Sequence, residues 1–374
     1  AGRRACPPED VGGIGAHQEL LDVLAGRPPA GADEEWLEQL PIHEFRHAVQ
    51  ISSMKQGFTK VLSYFFGEQI VGGVLGLYLP SWFLEGDATV TETALSRTGR
   101  GRSALFGSIL RAQVVEKGYY SYDKATLGSY KTFTPDSYEL GYFLVGQARA
   151  EYGPMVWNEA IRRSARLPFM VVPFSSGIRK STGLWKSGLY RQVISKLDSN
   201  WKEESAVTPG VAYPLITERD PAAHTHYYNP QSTDDQHIVA EKTSIDDVTR
   251  FVRINSATGD ECILHTPGPR PERSMSTSAN LLVWAETRRD RRWENRSYSE
   301  IWSLDLISGK ANLLNEKSRY FSPAVNAGGS KIVVVERTES GDCSLGILQA
   351  KDGMLISKIP LTSGHTAMNP NWYA

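Results

Sequence analysis

Apolar residues recur at three- and four-residue intervals through Pro41–Met54, Trp82–Leu95, Ala104–Val115, Leu140–Tyr152, Met155–Ser164 and Leu189–Trp201. That spacing lines one face of a helix, so residues 41–204 are predicted to be mainly α. Turn signals at Gly99-Arg-Gly101, Thr134-Pro135-Asp136 and Gly153-Pro154 separate the segments. From Tyr227 the pattern changes to short apolar runs: His237–Glu241, Thr249–Ile254, Leu281–Glu286, Ile301–Leu306, Lys331–Glu336 and Leu345–Leu348. These read as strands. Between the halves, residues 205–226 carry Pro209, Pro214 and Pro221 and read as a linker. Ahead of the helical half, residues 1–40 form a segment of their own. It opens with Arg, Pro and Gly, continues with an amphipathic helix around Gln18–Ala25 and ends in an acidic stretch.

The β half repeats internally. An apolar strand followed by a glycine turn occurs as Arg253-Ile-Asn-Ser-Ala-Thr-Gly259, Ser303-Leu-Asp-Leu-Ile-Ser-Gly309 and Ile347-Leu-Gln-Ala-Lys-Asp-Gly353. An earlier strand repeats as Ile238-Val-Ala, Leu282-Val-Trp and Ile332-Val-Val. Both series step by 44 and 50 residues, in opposite order. Units of this length with several short strands have the period of β-propeller blades, so residues 227–374 are predicted to hold about three. Phe321-Ser-Pro-Ala-Val-Asn-Ala-Gly-Gly resembles the blade-opening turn of TolB-type propellers, with Tyr228-Asn-Pro230 and Met368-Asn-Pro370 as degenerate copies.

Composition narrows the possibilities. A chain of 374 residues suggests two or three domains, and 40% hydrophobic residues can fill their cores. A net charge of −1 argues against a general nucleic-acid binder or a polybasic membrane binder. The three cysteines, Cys6, Cys262 and Cys343, form no CxxC pair, and the last two are expected to be buried as small hydrophobes. No apolar run of signal-peptide length is visible in residues 1–30. Residues 61–84 are strongly apolar, but Glu68, Gln69 and Pro80 interrupt them. A charge at the bilayer centre costs about 2.5–3.5 kcal/mol on insertion scales, so a buried helix is expected and membrane association is the less favoured alternative.

The chemistry is concentrated in His43-Glu-Phe-Arg-His47, an HExxH motif in helical context. A spacing of four puts both imidazoles on one helix face, where they can grip one Zn²⁺ together. Glu44 lies about 100° round the helix from His43, placed to take a proton from an attacking water. A catalytic zinc needs a third protein ligand and an open position. Trp82-Phe-Leu-Glu85-Gly-Asp-Ala88, on a second predicted helix, offers Glu85.

This pairing resembles the gluzincin metallopeptidases, in which HExxH is followed by a WFxEGxA helix. The resemblance implies His43, His47 and Glu85 as zinc ligands, Glu44 as general base and peptide-bond hydrolysis as the reaction. Gln50 and the run Asp136-Ser-Tyr138-Glu-Leu-Gly-Tyr142 look like a bacterial branch in which the peptidase part precedes a TolB-like propeller. The fold expected is therefore multidomain: a mainly α zincin-like catalytic region lacking its N-terminal sheet, plus an all-β partial propeller. A peptide or protein substrate, and a protein partner on the propeller, are the partners implied. By the same resemblance the location is extracytoplasmic, periplasmic or envelope-associated. Residues 1–40 resemble the tail of a plasmid open-reading-frame-three-like domain. The rival reading is a catalytically inactive fragment serving as a propeller-based interaction module.

Gluzincins usually add a Tyr or His that stabilises the oxyanion. Tyr138 is the first candidate and Tyr142 the second; each is otherwise a core aromatic. On the Glu85 helix, Thr89 and Glu92 share the ligand's face, about 40° and −20° away. Glu92 either accepts the free ring N–H of a ligand histidine or is a solvated carboxylate. Asp87, about 200° away, is expected to cap or pair elsewhere. His224 and His226 are expected to be solvent-exposed in the linker, and the arginine-rich run 287–296 to be a solvated inter-strand loop.

Overall fold

The computed structural model describes residues 36–96, 99–207, 213–218, 222–278, 280–362 and 365–373. The expected helix around Gln18–Ala25, Cys6 and most of the 1–40 segment lie outside the described residues. The chain divides into two units, a helical one and a β one, with the division near residue 211.

Ten α-helices are present among the described residues of the helical unit. They are α1 (Trp36–Ser53), α2 (Gly57–Phe66), α3 (Gln69–Tyr78), α4 (Ser81–Leu95) and α5 (Ser108–Lys117), then α6 (Tyr122–Leu127), α7 (Ser137–Tyr152), α8 (Asn158–Arg166), α9 (Pro173–Thr182) and α10 (Lys186–Val207). The core runs from Met54 and Trp82 through Leu140, Leu144 and Trp157 to Leu189 and Trp201. Helix α1 begins five residues before the predicted start and carries Pro41 inside it.

The pair that matters for the site is α4 against α7. A Cβ built on Gly86 would stand 2.2 Å from the Gly141 carbonyl carbon, and one on Gly141 1.9 Å from the Trp82 carbonyl oxygen. Only two glycines facing each other let the backbones approach this closely. Asp136 caps α7, its Oδ1 accepting from the Tyr138 and Glu139 amides at 2.9 and 2.8 Å. The cap holds Tyr138 in the first turn.

The apolar stretch 61–84 departs from the expected buried helix. It breaks at Gly67-Glu68 and at Leu79-Pro80 into parts of three helices. Tyr64, Phe65, Phe66 and Leu77 are exposed. Helices this short bury one stripe and leave the rest of an all-apolar surface outside. No helix among the described residues is long and apolar enough to cross a membrane.

Among its described residues the β unit holds three antiparallel sheets of four strands. The first is β1 (Thr225–Ser232), β2 (His237–Ser244), β3 (Arg250–Asn255) and β4 (Glu261–His265). The second is β5 (Met275–Ser278), β6 (Leu281–Arg289), β7 (Ser297–Asp305) and β8 (Ala311–Leu313). The third is β9 (Tyr320–Val325), β10 (Lys331–Arg337), β11 (Cys343–Gln349) and β12 (Leu355–Pro360). In each the strands lie side by side in chain order, the topology of a propeller blade. Gly259, Gly309 and Gly353 each take a left-handed φ, and each amide closes its turn on the carbonyl four residues back. Asn229, Ser322 and Asn369, the residues before the three blade-opening prolines, also share a left-handed φ of 46–49°. Non-glycine residues seldom adopt that conformation, so its recurrence marks equivalent positions.

Two details of the β unit correct the expectations. Cys262 is exposed on β4, an edge strand, whereas Cys343 is buried. His224 and His226 are half-buried at the entry to β1, with Nε2 atoms 2.6 Å apart, rather than solvent-exposed. Loop 290–296 joins β6 to β7 with Trp293 exposed, as a solvated loop would.

Gly141→Ala should lower the stability of the helical unit by about 1–3 kcal/mol, because the added methyl overlaps backbone that cannot yield. Urea denaturation followed by circular dichroism measures this, and an unchanged midpoint would contradict the close-crossing account.

Candidate metal centre

The centre lies where α1 crosses α4. His43 and His47, one turn apart on α1, direct their Nε2 atoms at each other across 3.2 Å. Glu85 of α4 brings Oε2 to 3.3 Å from His43 Nε2 and 3.5 Å from His47 Nε2. No other group of three metal-ligating side chains converges in this way among the described residues.

Each ring is held from behind. His43 Nδ1 lies 2.8 Å from Glu92 Oε2, so its N–H donates to that carboxylate. Arg100 then locks Glu92, donating from Nε to Oε1 at 2.7 Å and from Nη2 to Oε2 at 2.9 Å. His47 Nδ1 donates to Gln50 Oε1 at 2.8 Å, and Gln50 Nε2 donates to the Leu84 carbonyl and to Asp87 Oδ2. With both Nδ1 atoms held from behind by acceptors, both Nε2 atoms turn toward Glu85, the side of each ring that a metal would take once its proton is displaced. The solvated alternative for Glu92 is thereby excluded, since it is 1% exposed.

The charges are strongly coupled. Burial disfavours a charged His43 ring, but the Glu85 and Glu92 carboxylates outweigh it and raise its pKa to about 9. Hydrogen bonding from His43 and His47 holds Glu85 well below the usual carboxylate range. His47 is raised, chiefly by Glu85. Burial works to raise Glu92, and the Arg100 and His43 hydrogen bonds prevail and lower it. Three ionisable groups therefore surround one point with their donor atoms turned inward, and Glu92 backs His43 from the other side.

Of the remaining candidates, Tyr138 stacks beside His43 with ring centroids 6.0 Å apart, and the Arg100 guanidinium lies over its ring, 4.6 Å from the ring centre. Burial, then the Glu85 charge and a hydrogen bond to Glu85, raise its pKa. Tyr142 is instead buried against Phe106 and Phe143, and burial pushes its pKa up to about 12. Glu44 is exposed on α1 next to His43. Asp87 pairs away from the centre, with Arg46 and Arg149.

Sequence reasoning did not anticipate Arg100 or the role of Gln50 toward His47. Arg100 stands beyond the end of α4 in a short 3-10 turn that reads only as a Gly-Arg-Gly turn signal. Gln50 shares the helix face of His47 at a spacing of three, which was the available cue.

No protein-family model and no curated protein matches the chain. Solved structures similar to part of it include the β-propeller domain of the Trilobed protease from Pyrococcus furiosus, at 14% identity and a TM-score of 0.27. That likeness covers 37% of this chain and 44% of that one. An acylaminoacyl peptidase from Pyrococcus horikoshii gives 12% and 0.26 over 37% and 25% of the two chains. TolB from Acinetobacter baumannii gives 12% and 0.22 over 38% and 45%. The chain spans less than half the length of each.

Because the folded pKa of His43 is raised, its contribution to metal-free stability is complete below about pH 6.5, the unfolded value, and is lost as pH rises through about 9. Denaturation of metal-free protein between pH 6 and 10 should show this loss, and Glu92→Gln should reduce it. A pH-independent midpoint across that window would refute the coupling.

Proposed function

We propose that this chain is a zinc-dependent peptidase in which His43, His47 and Glu85 hold the ion and Glu44 is the general base. The observation that carries this reading is the triangle of donor atoms, with edges of 3.2, 3.3 and 3.5 Å. A tetrahedral site with zinc–ligand bonds of about 2.0–2.1 Å has ligand–ligand edges of about 3.3–3.4 Å. Two neutral imidazoles and one carboxylate are also a donor set zinc favours, and they leave one position for solvent or substrate.

Zinc in such a site acidifies water and polarises a carbonyl. The rest of the work falls to the chain. Glu44, exposed beside His43, takes the proton of the attacking water on its carboxylate and returns it to the leaving amine. Tyr138 presents its hydroxyl as the donor to the oxygen that becomes negative in the transition state. Glu92 and Gln50 keep the two rings from rotating, so the donor triangle need not be assembled when metal arrives. A peptide or protein is the substrate class, and an extracytoplasmic site of action fits the gluzincin–TolB resemblance. The β unit is assigned the binding of a protein partner or the presentation of substrate.

Metal analysis of purified protein should give about one zinc per chain. Glu44→Gln should keep the metal and lower peptide hydrolysis by about 10²-fold or more. Wild-type protein that holds no zinc after zinc loading would overturn the proposal. Tyr138→Phe should lower kcat by about 10²-fold with metal content unchanged. An unchanged kcat would remove Tyr138 from the mechanism and leave the metal site standing.

A further inference from the structure

Asp87 projects from α4 about 200° round the axis from Glu85, away from the metal centre. Beside it is a cavity of about 330 Å³ whose walls include Arg46, Arg149, Phe83, Trp157 and Ile161. Two guanidinium groups there meet one carboxylate. Arg46 donates from Nε to Asp87 Oδ2 at 2.7 Å and from Nη2 to Oδ1 at 3.2 Å, and Arg149 Nη2 donates to Oδ1. Gln50, the other partner of Asp87, is neutral. Among the described residues neither guanidinium pairs with a second acid, so the cluster carries one excess positive charge.

That charge is largely held out of water. Asp87 is fully buried, and the Arg149 and Arg46 side chains are 13% and 26% exposed, so the charge is only partly open to water. Burial draws the Arg149 pKa down; Asp87 opposes this, and the like charge of Arg46 adds to it. A buried cation without its own counter-ion is costly, and an anion entering the cavity would relieve that cost. Each guanidinium has five N–H donors, of which Asp87 takes two from Arg46 and one from Arg149. The apolar walls ask for more than a bare inorganic ion. The volume lies at the small end of ligand sites, which run from about 300 to 1,000 Å³.

We propose that this cavity binds a carboxylate on a short apolar body, with Arg46 and Arg149 taking the carboxylate and Pro154, Met155 and Ile161, the apolar wall residues that keep accessible surface, flanking the body. A free fatty or keto acid and the C-terminal residue of a peptide share this chemistry. The site is separate from the metal centre and does not require metal.

Calorimetric titration of the metal-free full chain with hexanoate and with N-acetyl-leucine tests it. Saturable binding of at least one is expected, with the tighter ligand naming the source. Hexanol should not bind, and inorganic phosphate should bind at least about tenfold more weakly, lacking the apolar body. Arg46→Gln leaves a neutral Asp87–Arg149 pair that should still fold, and it should weaken binding by about tenfold or more. Met155→Trp narrows the cavity from a wall residue that is 67% exposed and therefore tolerant of change. It should weaken binding similarly without altering the thermal midpoint. No saturable binding of either carboxylate, equal binding of hexanol or phosphate, or binding unchanged in both variants would overturn the proposal. Loss of zinc or of hydrolysis would leave these results unaffected, so this failure and that of the peptidase reading are distinguishable.

Discussion

Two carboxylates that helix α4 buries, with a third half-buried beside them, organise the helical unit. Asp87 and Glu92 are 0% and 1% exposed, and Glu85, which precedes both on the helix, lies at the candidate metal centre. An unpaired buried carboxylate costs several kcal/mol, so each must be met by a donor from another element. Helix α1 supplies most of them: His43 to Glu92 and Glu85, His47 to Glu85, Arg46 and Gln50 to Asp87. Arg100 and Arg149 supply the rest. The crossing of α1 over α4 is therefore fixed by charge pairing on two faces of α4 at once, and the donor triangle is one consequence of that crossing.

The same constraint explains why a close approach is built elsewhere. If α7 is to bring Arg149 to Asp87 and Tyr138 to the His43 ring, it must lie almost in contact with the α4 backbone. The facing Gly86 and Gly141 allow it. Gln50 joins the two faces directly, since its oxygen accepts from His47 and its nitrogen donates to Asp87. A disturbance at the arginine pair thus has a bonded route to the His47 ring, with one side chain between them.

Much of this was legible in the chain. Helical periodicity located α1, α4, α7 and α10, whose apolar stripes are continuous. It missed the six-residue α6, which buries only Ala125, and α9, whose buried stripe includes Pro173 and Gly177 and so does not read as apolar. In the β unit the two middle strands of each sheet were readable because neighbours cover both faces and leave contiguous apolar runs. The edge strands β4 and β12 are largely exposed and give no contiguous apolar run, although Cys262 on β4 sits in a strand-like stretch. The exposure of Cys262 follows from the same cause, since an edge strand does not bury every second residue.

The sequence by itself determined the donor types and their helical phase. His43 and His47 share a face, and Glu85 and Glu92 share another, because 3.6 residues per turn leaves no other arrangement. It also determined the blade repeat, through turn glycines that must take a left-handed φ. Tertiary structure alone decided that the two helix faces meet, that Glu92 is buried against His43 rather than solvated, and that Tyr138 rather than Tyr142 stands at the centre. It alone brought Arg46 and Arg149 onto one carboxylate. The physical reason is that helical phase is local, whereas the matching of buried charges depends on which helices cross and how closely their backbones can approach.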